Sequence, residues 1–121
     1  MSFYEEFIGS RRYPRCFPRQ PLCGAGCGEG WWPILHDLFA ELEALPLDEH
    51  FAIDQVKEKF GGLRVYTSTY PDGVGEAIVR AEQRAAVTCE TCGAPGEERG
   101  AGWVKTRCDA CQAAWEAERS A

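Results

Sequence analysis

The stretch CETCGAPGEERGAGWVKTRCDAC, residues 89–111, holds two Cys-x-x-Cys pairs, Cys89/Cys92 and Cys108/Cys111, with fifteen residues between them. Two residues between cysteines let both sulfurs of a pair point into one tight turn and supply half of a tetrahedron. The second pair closes it. This is the spacing of a structural zinc site with four thiolate ligands, set against a free-thiol or disulfide arrangement of the same residues. Gly93, Pro95 and Gly96 follow the first pair and let the backbone curl around a metal. Trp103-Val104-Lys105-Thr106-Arg107 alternates as a short strand, and residues 109–119 are strong helix formers. A helix beginning at the second pair would place its positive dipole end beside the thiolates.

Knuckle, short hairpin and a cysteine pair opening a helix together resemble a treble-clef zinc finger. Four thiolates fill the tetrahedron and leave no position for water, so the expected role of the metal is structural. The finger helix carries no histidine, which disfavours a nuclease of the His-metal type.

Upstream, the chain reads as an arm over residues 1–29 and a core over residues 30–88, with the finger over 89–121 packed on that core. Pro33 suits the first turn of a helix that ends before Pro46. Ile34, Leu35, Leu38, Phe39, Leu42 and Leu45 share one face of it. Trp31 and Trp32 sit just ahead, and His36 falls on the polar side with Glu43, where solvation is expected. Residues 55–66, QVKEKFGGLRVY, predict a β-hairpin with a Gly-Gly turn. That turn pairs Phe60 with Leu63, Lys59 with Arg64 and Lys57 with Tyr66. Val56, Phe60, Leu63 and Val65 then face a core, and Gln55, Lys57, Lys59, Arg64, Tyr66 and Ser68 face outward. Residues 73–87 predict a second helix with an apolar stripe of Val74, Ala77, Ile78, Ala81, Ala85 and Ala86. The architecture is therefore α+β: helix, β-hairpin and helix as one core, followed by a four-cysteine treble-clef-like finger that presents Trp103 and Trp115 to it.

Like charges directly opposite on a sheet repel, so the hairpin cations ask for an anion. It can be a carboxylate of this chain, an acidic group of a partner, or a phosphate. Glu82, near the middle of the second helix's stripe, is the internal candidate, since a carboxylate there needs a cation or a donor.

The segments EGWWPIL (29–35), QVKEKFGGLRVY (55–66), AIVRAE (77–82), CETCGAPG (89–96) and GWVKTRCDAC (102–111) resemble a family of small proteins of bacteria and their phages. Its pattern is a Gly-Trp helix, this hairpin, a helix bearing Ala-Glu and a C-terminal four-cysteine finger. The resemblance spans residues 29–112 and implies the architecture and the zinc, without implying an activity. Cys16, Cys23 and Cys27 lie outside it. Their spacing matches no standard zinc pattern, so free thiols are expected there, with a second metal site as the alternative.

A chain of 121 residues with net charge −6 fits one domain with an appended module. Four thiolates around a zinc would make it more acidic still. That is unfavourable for general nucleic-acid binding, which draws on cations that displace counterions. The charge is uneven: Arg11, Arg12, Arg15 and Arg19 fall in residues 9–28, which contain no acid, whereas residues 29–62 hold eight. The first residues lack the basic start and apolar run of a signal peptide. With reduced cysteines at metal spacing, this predicts a cytoplasmic protein. No run is long enough to span a membrane.

The expected function is that of a non-enzymatic binding module docking on a protein, as a regulator or inhibitor encoded by a phage or mobile element, of anti-defence type. Its candidate surfaces are Lys57, Lys59, Arg64 and Tyr66 on the hairpin, or the acids Asp37, Glu41 and Glu43 of the first helix, which could mimic phosphate in a basic groove. The alternatives are nucleic-acid binding through the hairpin cations with Lys105, Arg107 and the arm arginines, or an enzyme using an arm cysteine or Glu82. No catalytic motif supports the last of these.

Overall fold

The computed structural model describes residues 1–120. A π-helical turn, Tyr4–Gly9, and a 3-10 turn, Glu29–Trp31, precede helix α1, Trp32–Glu43. Strands β1, Ile53–Lys59, and β2, Gly62–Thr67, form an antiparallel hairpin, and helix α2 runs Val74–Ala85. A second small hairpin, β3 (Glu97–Arg99) with β4 (Lys105–Arg107), leads into helix α3, Asp109–Ser120. The expected α+β class is observed, as helices with two two-stranded antiparallel sheets.

Helix α1 forms where Pro33 sets the first turn, and it buries Ile34, Leu35, Leu38, Phe39 and Leu42. Helix α2 presents Val74, Ala77, Ile78, Ala81 and Ala85. Three of these five are alanines, which let the helices approach closely. Arg84 then reaches Asp37 at 2.6 Å, and Arg80 pairs with Glu41. The remaining acid of α1, Glu43, accepts the Cys16 N–H at 2.7 Å on its carboxylate. The acidic surface expected on α1 is therefore engaged by the chain's own donors, because α2 and the arm both pack along that helix.

The arm contributes much of the core. Phe7, Tyr13 and Phe17 all pack on Phe39, with ring centroids 5.1–5.6 Å away. Its later part runs beside β1: the Ile53 N–H donates to the Cys16 carbonyl, and Gly26 N–H donates to Val56. His36 is half-buried rather than solvated. Its Nδ1 lies 2.7 Å from the Tyr13 hydroxyl and its Nε2 lies 2.6 Å from Glu6. A carboxylate only accepts, so Nε2 donates to Glu6, while Nδ1 shares a hydrogen bond with the Tyr13 hydroxyl. The arm supplied both partners, and helix periodicity could not reveal them.

The β1–β2 turn sits one residue earlier than expected, which moves every cross-strand pairing by two residues. Val56 faces Val65, Lys57 faces Arg64 and Lys59 faces Gly62, so the loop is Phe60-Gly61. Both loop residues have positive φ, +52° and +80°, as a type I′ turn requires. The finger accounts for this choice. A Cβ at position 61 would lie 3.0 Å from Val104, and the Gly61 carbonyl accepts the Thr106 hydroxyl at 2.6 Å. Phe60 is consequently displayed to solvent, 65% exposed, instead of facing the core. A left-handed conformation costs a non-glycine residue about 1 kcal/mol, and asparagine tolerates it best. Phe60→Asn is expected to raise stability by about that amount, or a few degrees in thermal denaturation. A lower melting temperature would mean that the ring makes stabilising contacts.

Candidate metal centre

The chain crosses from α2 into the finger through Thr88, then turns sharply at the first cysteine pair. Gly93, at φ +85°, closes that knuckle by donating its N–H to the Cys89 carbonyl at 2.9 Å. The Cys89 N–H donates to Ala94 at 2.7 Å, which fixes the return of the chain. The second pair sits at the start of α3, where Gln112 N–H donates to the Cys108 carbonyl at 2.9 Å and Cys111 N–H points at the Cys108 sulfur. Two local turns thus aim four sulfurs at one point, as the spacing predicted.

The sulfurs of Cys89, Cys92, Cys108 and Cys111 all lie within 4.8 Å of one another. Cys92 and Cys108 are 3.6 Å apart, far longer than a disulfide bond of about 2.05 Å. A tetrahedron with metal–sulfur bonds of ~2.3 Å has edges of ~3.8 Å, so the cluster can hold a metal ion with little adjustment. Burial pushes the Cys89 thiol up. The backbone N–H groups of Cys108, Cys92 and Thr91 outweigh it and hold Cys89 at about 6. Hydrogen bonding with Cys108 and Cys92 pushes Cys111 up to about 12. One sulfur is thus prepared for negative charge, and a cation at the centre would favour the same state in all four.

Cys16, Cys23 and Cys27 do not join a second cluster of three or more ligating groups among the described residues. Cys16 is buried with its thiol on the Phe39 carbonyl, Cys23 is exposed and Cys27 is half-buried.

Besides the Thr106–Gly61 bond, contacts at two places dock the finger on the core. Gly30 N–H donates to Glu90 at 2.8 Å, and Trp31, fully buried, donates its indole N–H to Thr88 at 2.8 Å. At the hairpin tip, Lys105 pairs with Glu58 at 2.6 Å, and Glu58 also accepts the Gly61 N–H at 2.7 Å. Burial raises the Glu58 carboxyl, but Lys105 and the Gly61 N–H outweigh that and hold it below its ordinary 4.5. This contribution to stability is therefore complete above pH 4.5 and fades as pH falls through the lowered value. Glu58→Gln is expected to cost about 1–2 kcal/mol at neutral pH, read by chemical denaturation. An unchanged midpoint would mean that the pair adds nothing beyond solvated charges.

Apart from Phe60, the hairpin residues keep their predicted face, because the pairing moves by an even number of residues. Lys57 stands opposite Arg64, and Tyr66 opposite Gln55. Lys59 lies 5.6 Å from the Phe60 ring. None of the three cations forms an ion pair with a carboxylate among the described residues, whereas Lys105, Arg80 and Arg84 all do. Glu82 does not reach ion-pair distance either. Burial raises its carboxyl, and Arg64 offsets this only in part.

Sequence reading did not foresee the cluster on the finger's outer side. Trp103 and Trp115 lie 6.0 Å apart, with Arg107 over both rings and Arg119 over Trp115. Trp103 is 59% exposed, so this pair faces outward instead of being presented to the core. No helix among the described residues is long and apolar enough to cross a membrane. Comparison with known proteins finds no matching family model, curated protein or solved structure.

Proposed function

We propose that the four cysteines bind a structural zinc in a treble-clef-like finger, and that the chain is a cytoplasmic module that docks on a protein through the outer face of the β1–β2 hairpin. Its role is that of a regulator or inhibitor, as expected for a small protein of a phage or mobile element. The observation that carries this reading is the cation row without an ion pair. Lys57 and Arg64 face each other across the strands, with Lys59 beside them; Glu82 feels the charge of Arg64, but no carboxylate of the described residues reaches ion-pair distance of the three. Opposed like charges destabilise a sheet, so an acidic group of the partner would relieve a repulsion that the free protein carries. Tyr66, 40% exposed on the same face, adds an aromatic contact of the kind enriched at interfaces. The finger's part is to hold the hairpin turn through Thr106 and Lys105.

Nucleic-acid binding is the second reading, favoured by the outward Trp103–Trp115 pair with its arginines and opposed by the net charge of −6. Affinity capture from the native host, with and without nuclease, separates the two when run beside Lys57→Glu/Arg64→Glu. Protein binding predicts one discrete protein that survives nuclease and disappears with the folded variant. Nucleic acid recovered in its place, or a protein captured equally by the variant, contradicts the hairpin reading.

A further inference from the structure

The arm's arginines remain outside the docking reading, and two of them, Arg11 and Arg19, border a cleft of about 470 Å³ at the arm's surface. That volume is within the range of small-molecule sites. Tyr4, Tyr13 and Phe17 supply aromatic walls with two prolines, and Arg11, Arg19 and Gln20 supply donors. No lining residue is a carboxylate, although acids outnumber bases in the chain as a whole. The cleft is a local reversal of the protein's charge.

Two further features show that its walls are set in advance. Arg11 has φ +59°, a left-handed conformation that a residue with a side chain rarely adopts, and its N–H is held by the Ile8 carbonyl at 3.1 Å. Such strain concentrates at ligand-binding positions. The Arg11 side chain forms no ion pair or hydrogen bond among the described residues, whereas Arg15 donates to the Glu43 carbonyl and Arg19 pairs with Asp54 at 2.9 Å. The Tyr4 ring, 48% exposed, is backed by Gly9, where an added Cβ would come within 3.0 Å of it. An unpaired guanidinium on a left-handed backbone thus stands at the same opening as a half-exposed aromatic ring.

We infer that this cleft binds a small aromatic anion: a planar apolar body that packs on Tyr4 and Phe17, carrying a carboxylate or phosphate that Arg11 receives. Both head groups offer the paired oxygens that a guanidinium fork accepts. Arg19 borders the site with its charge already balanced by Asp54, which leaves Arg11 as the receiving cation. The inference does not depend on the hairpin or on the metal.

The test titrates the full chain with 1-naphthyl phosphate, 1-naphthoate and the neutral 1-naphthylmethanol, following backbone amide shifts. Saturable shifts within residues 4–20 are expected with at least one anion, and the alcohol should bind about tenfold more weakly. The tighter of the two anions identifies the head group. Arg11→Gln should weaken the anion about tenfold and leave the alcohol unchanged, while Tyr4→Ala should weaken all ligands. Arg107→Gln, beside the exposed Trp103 and Trp115, should leave affinity intact. Equal binding of alcohol and anions, indifference to Arg11→Gln in a folded variant, or loss of binding with Arg107→Gln would each overturn the assignment, as would an absence of saturable shifts.

Discussion

Cys92→Ser is expected to release the metal and unfold residues 88–120 while the α1–hairpin–α2 core keeps its fold. Cys92 is exposed, so its replacement removes little apolar burial and isolates the loss of a ligand. The finger has almost nothing else to hold it. From residue 88 to 120, the only buried residues are Cys89 and Thr106, and α3 buries none. An element of this size cannot supply a core of its own and depends on a staple. Structural zinc contributes on the order of 10 kcal/mol in isolated fingers, well above the gain from the few docking contacts. Hydrogen exchange is the measurement: protection should vanish across the finger and persist in α1, β1, β2 and α2. Retained metal and unchanged protection would show that the four cysteines are not the ligand set.

Gly30→Ala should have the second largest effect, through backbone collision. A Cβ there would fall 2.2 Å from the Cys89 carbonyl oxygen, 2.6 Å from that of Glu90 and 2.6 Å from the Gly93 nitrogen. All three atoms are backbone atoms of the first cysteine turn, so no side chain can swing aside. Relief requires the finger to lift from the 3-10 turn, which also breaks the Gly30 and Trp31 hydrogen bonds. A cost of about 3 kcal/mol follows, near the top of the range for overpacking. In thermal denaturation this should appear as a loss of roughly 10 °C. Gly75→Ala is the opposite case: it lies inside α2 with open space around its Cβ, and should stabilise by up to about 1 kcal/mol. Equal melting temperatures for Gly30→Ala and wild type would mean that the finger does not rest on this turn.

The parts of the fold legible in the sequence are those set by local periodicity and by chemistry with a fixed spacing. The stripe of α1 and the four cysteines show both kinds; Ile34 to Leu42 and the cysteine cluster lie where their patterns placed them, while Leu45 falls beyond the helix end at Glu43. The hairpin register was not legible, because Phe60-Gly61 and Gly61-Gly62 both offer turns at the local level. The choice was made by β4 and the residue before it: Thr106 and Val104 close on Gly61 from more than forty residues away. His36 was misread for the same reason, since its partners Glu6 and Tyr13 belong to an arm with no periodicity. The acids of α1 looked like a free surface until α2 supplied Arg80 and Arg84. Glu82, by contrast, remained unpaired, and the hairpin cations with it. The part of the candidate surface that local pattern did supply is the grouping of Lys57, Lys59, Arg64 and Tyr66 on one face, because strand alternation survives a shared shift of register.

The most direct test of the metal-organised finger is metal content by native mass spectrometry of the purified chain and two variants. One zinc per chain is expected in the wild type. It should be retained in Cys16→Ala/Cys23→Ser/Cys27→Ala and lost in Cys108→Ser. A second bound metal, a wild-type chain that takes up none when zinc is supplied, or retention in Cys108→Ser would contradict the account.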